Sequence, residues 1–277
     1  MVEFVEQTRE WFPKNARLRR ARLNVERTAA RRAAGMVFCT DTAKDIVSQR
    51  YSFVDKSKLA VIPNGYDEQA FLEAEKLRSG TQSLTKHVLL HSGTIYLSAD
   101  RDPTHLFRAL RTLSDQGIIN ADTFELRLRD PSCEEELNRM TAETGVAHLV
   151  KILPSISYTQ ALAEMMGADG LLALQGYTSN PAVPAKLYEY LRARRPIIGL
   201  VDPDGETATT LRRAKIATVA NIVDSTAIIE VIKHWISTAR SQASGVADDA
   251  TIAQYSRAKS TSELARLLDR VTARESL

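Results

Sequence analysis

The stretch GLLALQGYTSNPAVPAKLYEYLRARRPIIGLV, residues 170–201, decides the reading of the fold. Leu171-Leu172-Ala173 and Ile197-Ile198 are continuous apolar runs, the pattern of strands covered on both faces rather than on one. Between them Val183, Leu187, Tyr190 and Leu191 recur at helical spacing, with Pro184 suited to a first turn. Strand, helix and strand in that order make a parallel unit. Moving outward, strands are predicted at 87–92, 124–129, 149–153, 170–174, 196–201 and 216–220, with helices in the gaps. The fold class is α/β, a Rossmann-like parallel sheet flanked by helices. In such sheets ligands sit outside the carboxyl ends of the strands, so the segments just past those ends are where chemistry is sought.

The flanks are less regular. Residues 14–34 carry eight Lys/Arg against one Glu, with Leu18, Ala21, Val25, Ala29 and Ala33 on a narrow stripe. VFCT reads as a short strand, 41–51 as a helix, and LAVIPN as a strand ending at Asn64-Gly65. EAEKLRSGTQSLTK, after Leu72, is polar and reads as a linker. The tail shows helical patterns at 225–240 and 251–272. The division that follows is a partial α/β segment at 1–72, the Rossmann-like domain at 73–247, and a terminal helix at 248–277 that returns toward the N-terminal part.

Composition excludes several classes. With 277 residues, 44% of them hydrophobic, the chain can bury a full core, and a net charge of +3 gives no case for nucleic acid. Cys39 and Cys133 lack CxxC or Cys/His spacing, so neither metal nor disulfide is expected. The opening MVEFVEQTREWFPK is acidic where a leader peptide needs a basic start, and no stretch approaches a membrane span. The expectation is a cytosolic protein.

Three segments resemble, in order, landmarks of the family 4 (GT-B) glycosyltransferases: VFCTDTAKDIV with KLAVIPNGYDEQAF, then LLHSGTIYLSADRDPTHLFRAL, then VPAKLYEYLRARRPIIGL. The likeness runs from about residue 25 to the end. It implies the donor-binding C-terminal half of a GT-B fold, with only the end of the N-terminal domain. The glycine-rich acceptor-side loops and the N-domain histidine of such enzymes have no counterpart here, so either the chain is truncated or another polypeptide supplies the rest. The implied reaction moves a sugar from a nucleoside-diphosphate sugar, such as a UDP- or GDP-sugar, to a carbohydrate or lipid-linked acceptor. It would retain anomeric configuration and need no obligate metal or other cofactor. Acting alone, the chain is expected to transfer sugar slowly or not at all.

The resemblance places Glu189 on the ribose and lets Gly93, Arg101 and Lys186 meet the diphosphate, with Arg101 and Lys186 in the catalytic role of stabilising the leaving group. The residues themselves allow this. Gly93 lets a ligand approach the backbone, an arginine grips phosphate bidentately, and a carboxylate accepts two ribose hydroxyls. Helical projection puts Lys186 and Glu189 on a face beside the apolar one, off the core. This also allows a blander account, in which they form an exposed i, i+3 pair worth a few tenths of a kcal/mol. Eight residues before Glu189 the commoner family motif has a second glutamate; here it is Pro181, leaving Asn180 or Ser179 for the sugar hydroxyls. Residues 153–156, LPSI, resemble the loop that meets the base. His91 is read as structural. The arginines at 17, 19, 20, 22, 27, 31 and 32 suit peripheral contact with anionic lipid at the inner membrane face, or mark a helix stripped of its packing partner. Two rivals stay open: a non-catalytic nucleotide-binding partner protein, and an anionic-surface-binding module on a Rossmann-like scaffold.

Overall fold

The computed structural model describes residues 15–77, 86–97, 100–238 and 245–275. Residues 1–14, read above for a leader, the 78–85 part of the linker, and the 239–240 end of a predicted helix lie outside these. A six-stranded parallel sheet dominates. Its strands are β3 (His87–Ser92), β4 (Phe124–Arg129), β5 (Val150–Leu153), β6 (Gly170–Gln175), β7 (Ile197–Val201) and β8 (Val219–Ala220). They lie side by side as β5-β4-β3-β6-β7-β8, all pairs parallel. Counted within the sheet this is the order 3-2-1-4-5-6 of the dinucleotide-binding fold, whose strand order reverses between its first and fourth strands, here β3 and β6.

Helices cover both faces because successive strand residues point to opposite sides. On one face Leu90, Leu171, Ala173 and Ile197 pack with α3 (Glu68–Leu77), α6 (Tyr158–Gly167), α7 (Ala185–Ala193) and α8 (Glu206–Arg213). On the other, Leu89, Leu126, Leu172 and Ile198 pack with α4 (Thr104–Asp115), α5 (Glu134–Thr144) and α9 (Ser225–Thr238). Gly170 shows how tight the second layer is. A Cβ there would lie 2.6 Å from Trp235 Nε1 and 2.7 Å from its Cε2.

The N-terminal segment holds α1 (Ala16–Arg32), β1 (Met36–Phe38), α2 (Asp41–Arg50) and β2 (Leu59–Val61), with β1 and β2 paired in parallel. The narrow stripe Leu18-Ala21-Val25-Ala29-Ala33 packs against little: Leu18 is 46% and Val25 72% exposed. The docked side runs through Leu23, Glu26 and Ala30 instead, because Ala30 enters a small core with Val47, Tyr51 and Val54 and Glu26 pairs with Arg50 at 2.7 Å. The sequence reading needs two corrections here. First, the stretch read as a linker begins inside α3, whose Phe71 and Ala74 are fully buried against the Rossmann-like unit. Its interrupted stripe hid a helix, and Arg192 explains why the polar side is useful: it bonds Glu68 at 2.8 Å and Glu75 at 3.0 Å and lies over the Phe71 ring. Second, the last predicted helix is two, α10 (Asp249–Ala253) and α11 (Arg257–Glu275).

The break between them has a backbone cause. Tyr66 N–H donates to the Tyr255 carbonyl at 3.0 Å, and Arg257 N–H donates to the Tyr66 carbonyl at 2.9 Å, so these groups are bonded across to the Asn64-Gly65-Tyr66 turn rather than along a helix. Gly65 is required there, since the Tyr255 carbonyl oxygen fills the space a Cβ would take. Asp67 then starts α3 by accepting from Gln69 N–H at 3.0 Å. Further along, α11 passes the N-terminal segment: Ser260 donates to the Pro63 carbonyl at 3.3 Å, and Val271 lies against Gly35. Among the described residues no helix is long and apolar enough to cross a membrane.

Candidate nucleotide-sugar site

The reversal of strand order between β3 and β6 opens a crevice at their carboxyl ends, and two elements feed it. Gly93 follows β3 with φ 119°, a conformation that strains any residue with a Cβ. Its hydrogen-bonding fixes the turn: Gly93 N–H donates to the Arg129 carbonyl at 2.7 Å, and Ile95 N–H to the Pro131 carbonyl at 2.9 Å. From the other side comes α7, whose start at Ala185 follows Pro184 and has no side-chain cap, leaving its first amides directed past the helix end. Lys186 Nζ and Cε occupy the space that a Cβ on Gly93 would fill. The glycine read as an opening for a ligand is therefore also the bed of the lysine.

Lys186 is half-buried, and burial is the main reason its pKa falls below the ordinary lysine value. The Arg101 charge pushes the same way, while Glu189 and Asp130 oppose it. Arg101 is fixed by donating Nη1 to the Thr94 carbonyl at 2.6 Å, by the Asp100 carboxylate 3.6 Å from its Nε, and by lying over the Tyr96 ring at 5.0 Å. Gly93, Lys186 and Arg101 are thus brought together at one strand end. Two cations held close at one strand end make a place suited to an anion.

Glu189 departs from the projection that put it off the core. It is 8% exposed, because α7 is buried almost throughout between the sheet and its neighbours, so the exposed-pair account of Lys186 and Glu189 fails. The Tyr158 hydroxyl donates to its Oε1 at 2.8 Å, and burial followed by that carboxylate raises the tyrosine's pKa. Tyr158 opens α6, whose Ser157–Gln160 capping box fixes the entry from the 153–156 loop. Arg129 anchors the same loop. It grips Glu164 with two bonds of 2.8 Å and donates to the Pro154 carbonyl at 2.8 Å.

Asn180 is held by other partners. Its amide donates to Asp202 at 3.2 Å, its carbonyl accepts from Glu206 N–H at 2.9 Å, and its Oδ1 lies where a Cβ on Gly205 would reach within 2.8 Å. It ties the 176–184 loop to the start of α8. Gln175 supports the loop from below by donating to the Ser179 carbonyl at 3.0 Å and the Ala182 carbonyl at 3.1 Å. From the N-terminal segment Thr40 donates to the Pro181 carbonyl at 2.5 Å, and Glu206 accepts from Thr42 N–H at 2.8 Å. Pro181, where the commoner motif has a glutamate, is consequently a docking point for α2.

Several of these residues escaped the sequence reading. Asp130 and Ser132, with φ 52° and 63°, place two non-glycine residues in the left-handed region just past β4, and the Asp130 charge acts on Lys186. Thr178 donates to Asp100 at 3.0 Å and joins the loops after β3 and β6. Only three-dimensional proximity reveals such partners, although an Asp-Pro-Ser run after a strand end was a signal for strained backbone. Among the described residues no group of three or more His, Cys, Asp or Glu is placed to hold a metal ion.

No protein-family model and no curated protein matches the chain. Solved structures do. A glycosyltransferase from Rickettsia africae ESF-5 superposes with a TM-score of 0.66 at 12% identity, over 90% of this chain and 67% of that one. Sucrose-phosphate synthase from Thermosynechococcus elongatus gives 0.69 at 13% identity, over 92% and 62%. WaaG, a glycosyltransferase involved in lipopolysaccharide biosynthesis, gives 0.61 at 16% identity, over 92% and 66%. The chain has the GT-B Rossmann-like fold of these glycosyltransferases and spans about two thirds of their length.

Proposed function

We propose that this chain carries the donor-binding half of a nucleotide-sugar-dependent glycosyltransferase. The observation that carries the reading is Lys186, a lysine half-buried over the positive-φ Gly93, beside Arg101 and at the uncapped start of α7. Burying an ammonium is costly, and a cation held this way at a strand-order reversal fits a ligand that arrives with its own negative charge. A diphosphate meets Lys186, Arg101 and the α7 amides, while Glu189 takes the ribose hydroxyls. As the sugar leaves, the same cations stabilise the charge developing on the diphosphate, without a required metal, and the sugar passes with retained configuration to a carbohydrate or lipid-linked acceptor. Isothermal titration with UDP, GDP and ADP tests this. Saturable one-to-one binding of a nucleoside diphosphate is expected, and no heat with any of them contradicts the reading and leaves the surface-binding scaffold.

The membrane side of the reading is carried by α1. Six of its seven arginines are exposed, and Leu18 and Val25 stand out between them, a combination suited to the headgroup region of an anionic bilayer at the cytoplasmic face. Co-sedimentation with vesicles containing phosphatidylglycerol, lost in high salt and absent with neutral vesicles, is the expected outcome. Equal recovery with both kinds of vesicle would remove it.

A further inference from the structure

His91 sits one residue before the end of β3, on the strand that leads into Gly93. Its Nδ1 is 2.9 Å from the Leu172 carbonyl oxygen on β6, so the ring bridges the two strands between which the crevice opens. A carbonyl can only accept, so Nδ1 carries the proton, and in a neutral imidazole Nε2 is then a lone-pair acceptor. Neutral is the state the surroundings impose: burial pulls the ring's pKa down to about 4, the Leu172 carbonyl and the nearby Gly93 backbone work against this, and the charges of Arg101 and Lys186 add to it. Nε2 is itself buried, with no hydrogen-bond partner among the described residues. Arg101 Nε is in the same condition, a buried N–H with only a 3.6 Å charge contact to Asp100. The two groups are of opposite kind, one accepting and one donating.

This difference selects among ligand groups. An ionised phosphate oxygen only accepts, so it satisfies Arg101 and leaves His91 unpaired; a hydroxyl can donate to Nε2 while its oxygen accepts from a neighbouring N–H. Glu189 already accounts for ribose. We propose that His91 is a specificity-determining residue whose Nε2 accepts a hydrogen bond from a hydroxyl of the donor's sugar, beside Arg101. The inference rests on the donor-binding reading above and adds to it a group that distinguishes the sugar from the nucleotide.

The test compares nucleoside diphosphates with their sugars, UDP against UDP-glucose and GDP against GDP-mannose, on the full chain and on His91→Phe and His91→Gln. In His91→Phe the sugar-bearing ligand should lose roughly tenfold in affinity, with the bare diphosphate changed less than about twofold. His91→Gln, whose amide can donate to Leu172 and still accept through Oε1, should recover much of the loss. Independently, the imidazole nitrogen spectrum should show an unprotonated Nε2 whose resonance moves with the nucleotide sugar and not with the diphosphate. If His91→Phe weakens both ligands equally, or leaves the sugar's contribution intact, or if no sugar moves the Nε2 signal, a permanent water or a packing role explains His91 and the inference is overturned. If the wild-type chain binds no diphosphate at all, the donor-binding reading falls first and this one with it.

Discussion

Two helices of this protein carry basic residues under opposite conditions. On α1, six of seven arginines lie in water and only Ala30 is buried, so their charge costs the fold almost nothing and says little about what they do. On α7, one lysine is half-buried against a glycine backbone, its charged form disfavoured by burial and by a second cation. A charge retained at a cost must be accounted for. The comparison therefore ranks the two regions: the carboxyl end of the six-stranded sheet is the proposed site, and α1 is a surface.

The sharpest break in that ranking is Gly93→Ala. It would strain a backbone at φ 119° and dislodge Lys186 at once, with an expected loss of about 1–3 kcal/mol in the urea-unfolding free energy together with loss of nucleoside-diphosphate binding. Full binding by a stable Gly93→Ala variant would show that Lys186 does not need its present position. Next comes Glu189→Ala, which removes the proposed ribose acceptor and the partner of Tyr158. Affinity for a ribonucleoside diphosphate should fall roughly tenfold, and that for inorganic pyrophosphate should stay within about twofold. A parallel loss for pyrophosphate would assign Glu189 to the phosphates or to packing.

A gentler effect follows from protonation. Lys186 has its pKa lowered in the free protein, and a bound diphosphate would favour the ammonium and raise it again. Binding then takes up protons once the pH exceeds the free-state value. Affinity should decline as pH rises through a window below 10.5, and titrations between about pH 8 and about pH 10 in buffers of different ionisation enthalpy would show the uptake. A flat profile would mean that Lys186 does not feel the ligand. Smallest of all, Val25→Ser should change stability by no more than about 0.5 kcal/mol, since the side chain is 72% exposed. A larger loss in chemical unfolding would show that this face of α1 is covered.

How much of this was legible depends on whether a signal lay along the chain or across it. The continuous apolar runs at Leu171 and Ile197 announced buried parallel strands, and Gly93, Arg101 and Lys186 could be singled out because each follows a strand end or opens a helix. Amphipathic projection failed where its premise failed. It assumes that a helix has a wet side, and α7 has almost none, so Glu189 was placed outside the core that holds it. On α1 the docked face was invisible for another reason: it is served by Glu26, paired with Arg50, and not by the apolar Val25. The split between α10 and α11 was invisible because its cause, the crossing over Gly65, joins residues nearly two hundred positions apart. Asn180, singled out for sugar hydroxyls, is bonded to Asp202 and the start of α8.

The central claim is that the β3–β6 crevice takes a diphosphate through a half-buried lysine while the arginine-rich surface takes no part. One titration series measures this directly: nucleoside diphosphate into the wild type, Lys186→Ala, and a variant with Arg17, Arg20 and Arg22 all changed to alanine. The account predicts a loss of roughly 10- to 100-fold for the lysine variant and less than about twofold for the triple variant, in keeping with one charge-assisted hydrogen bond removed from a half-buried site and none from the other. Equal affinity of the wild type and Lys186→Ala, or a larger loss in the triple variant, would contradict it.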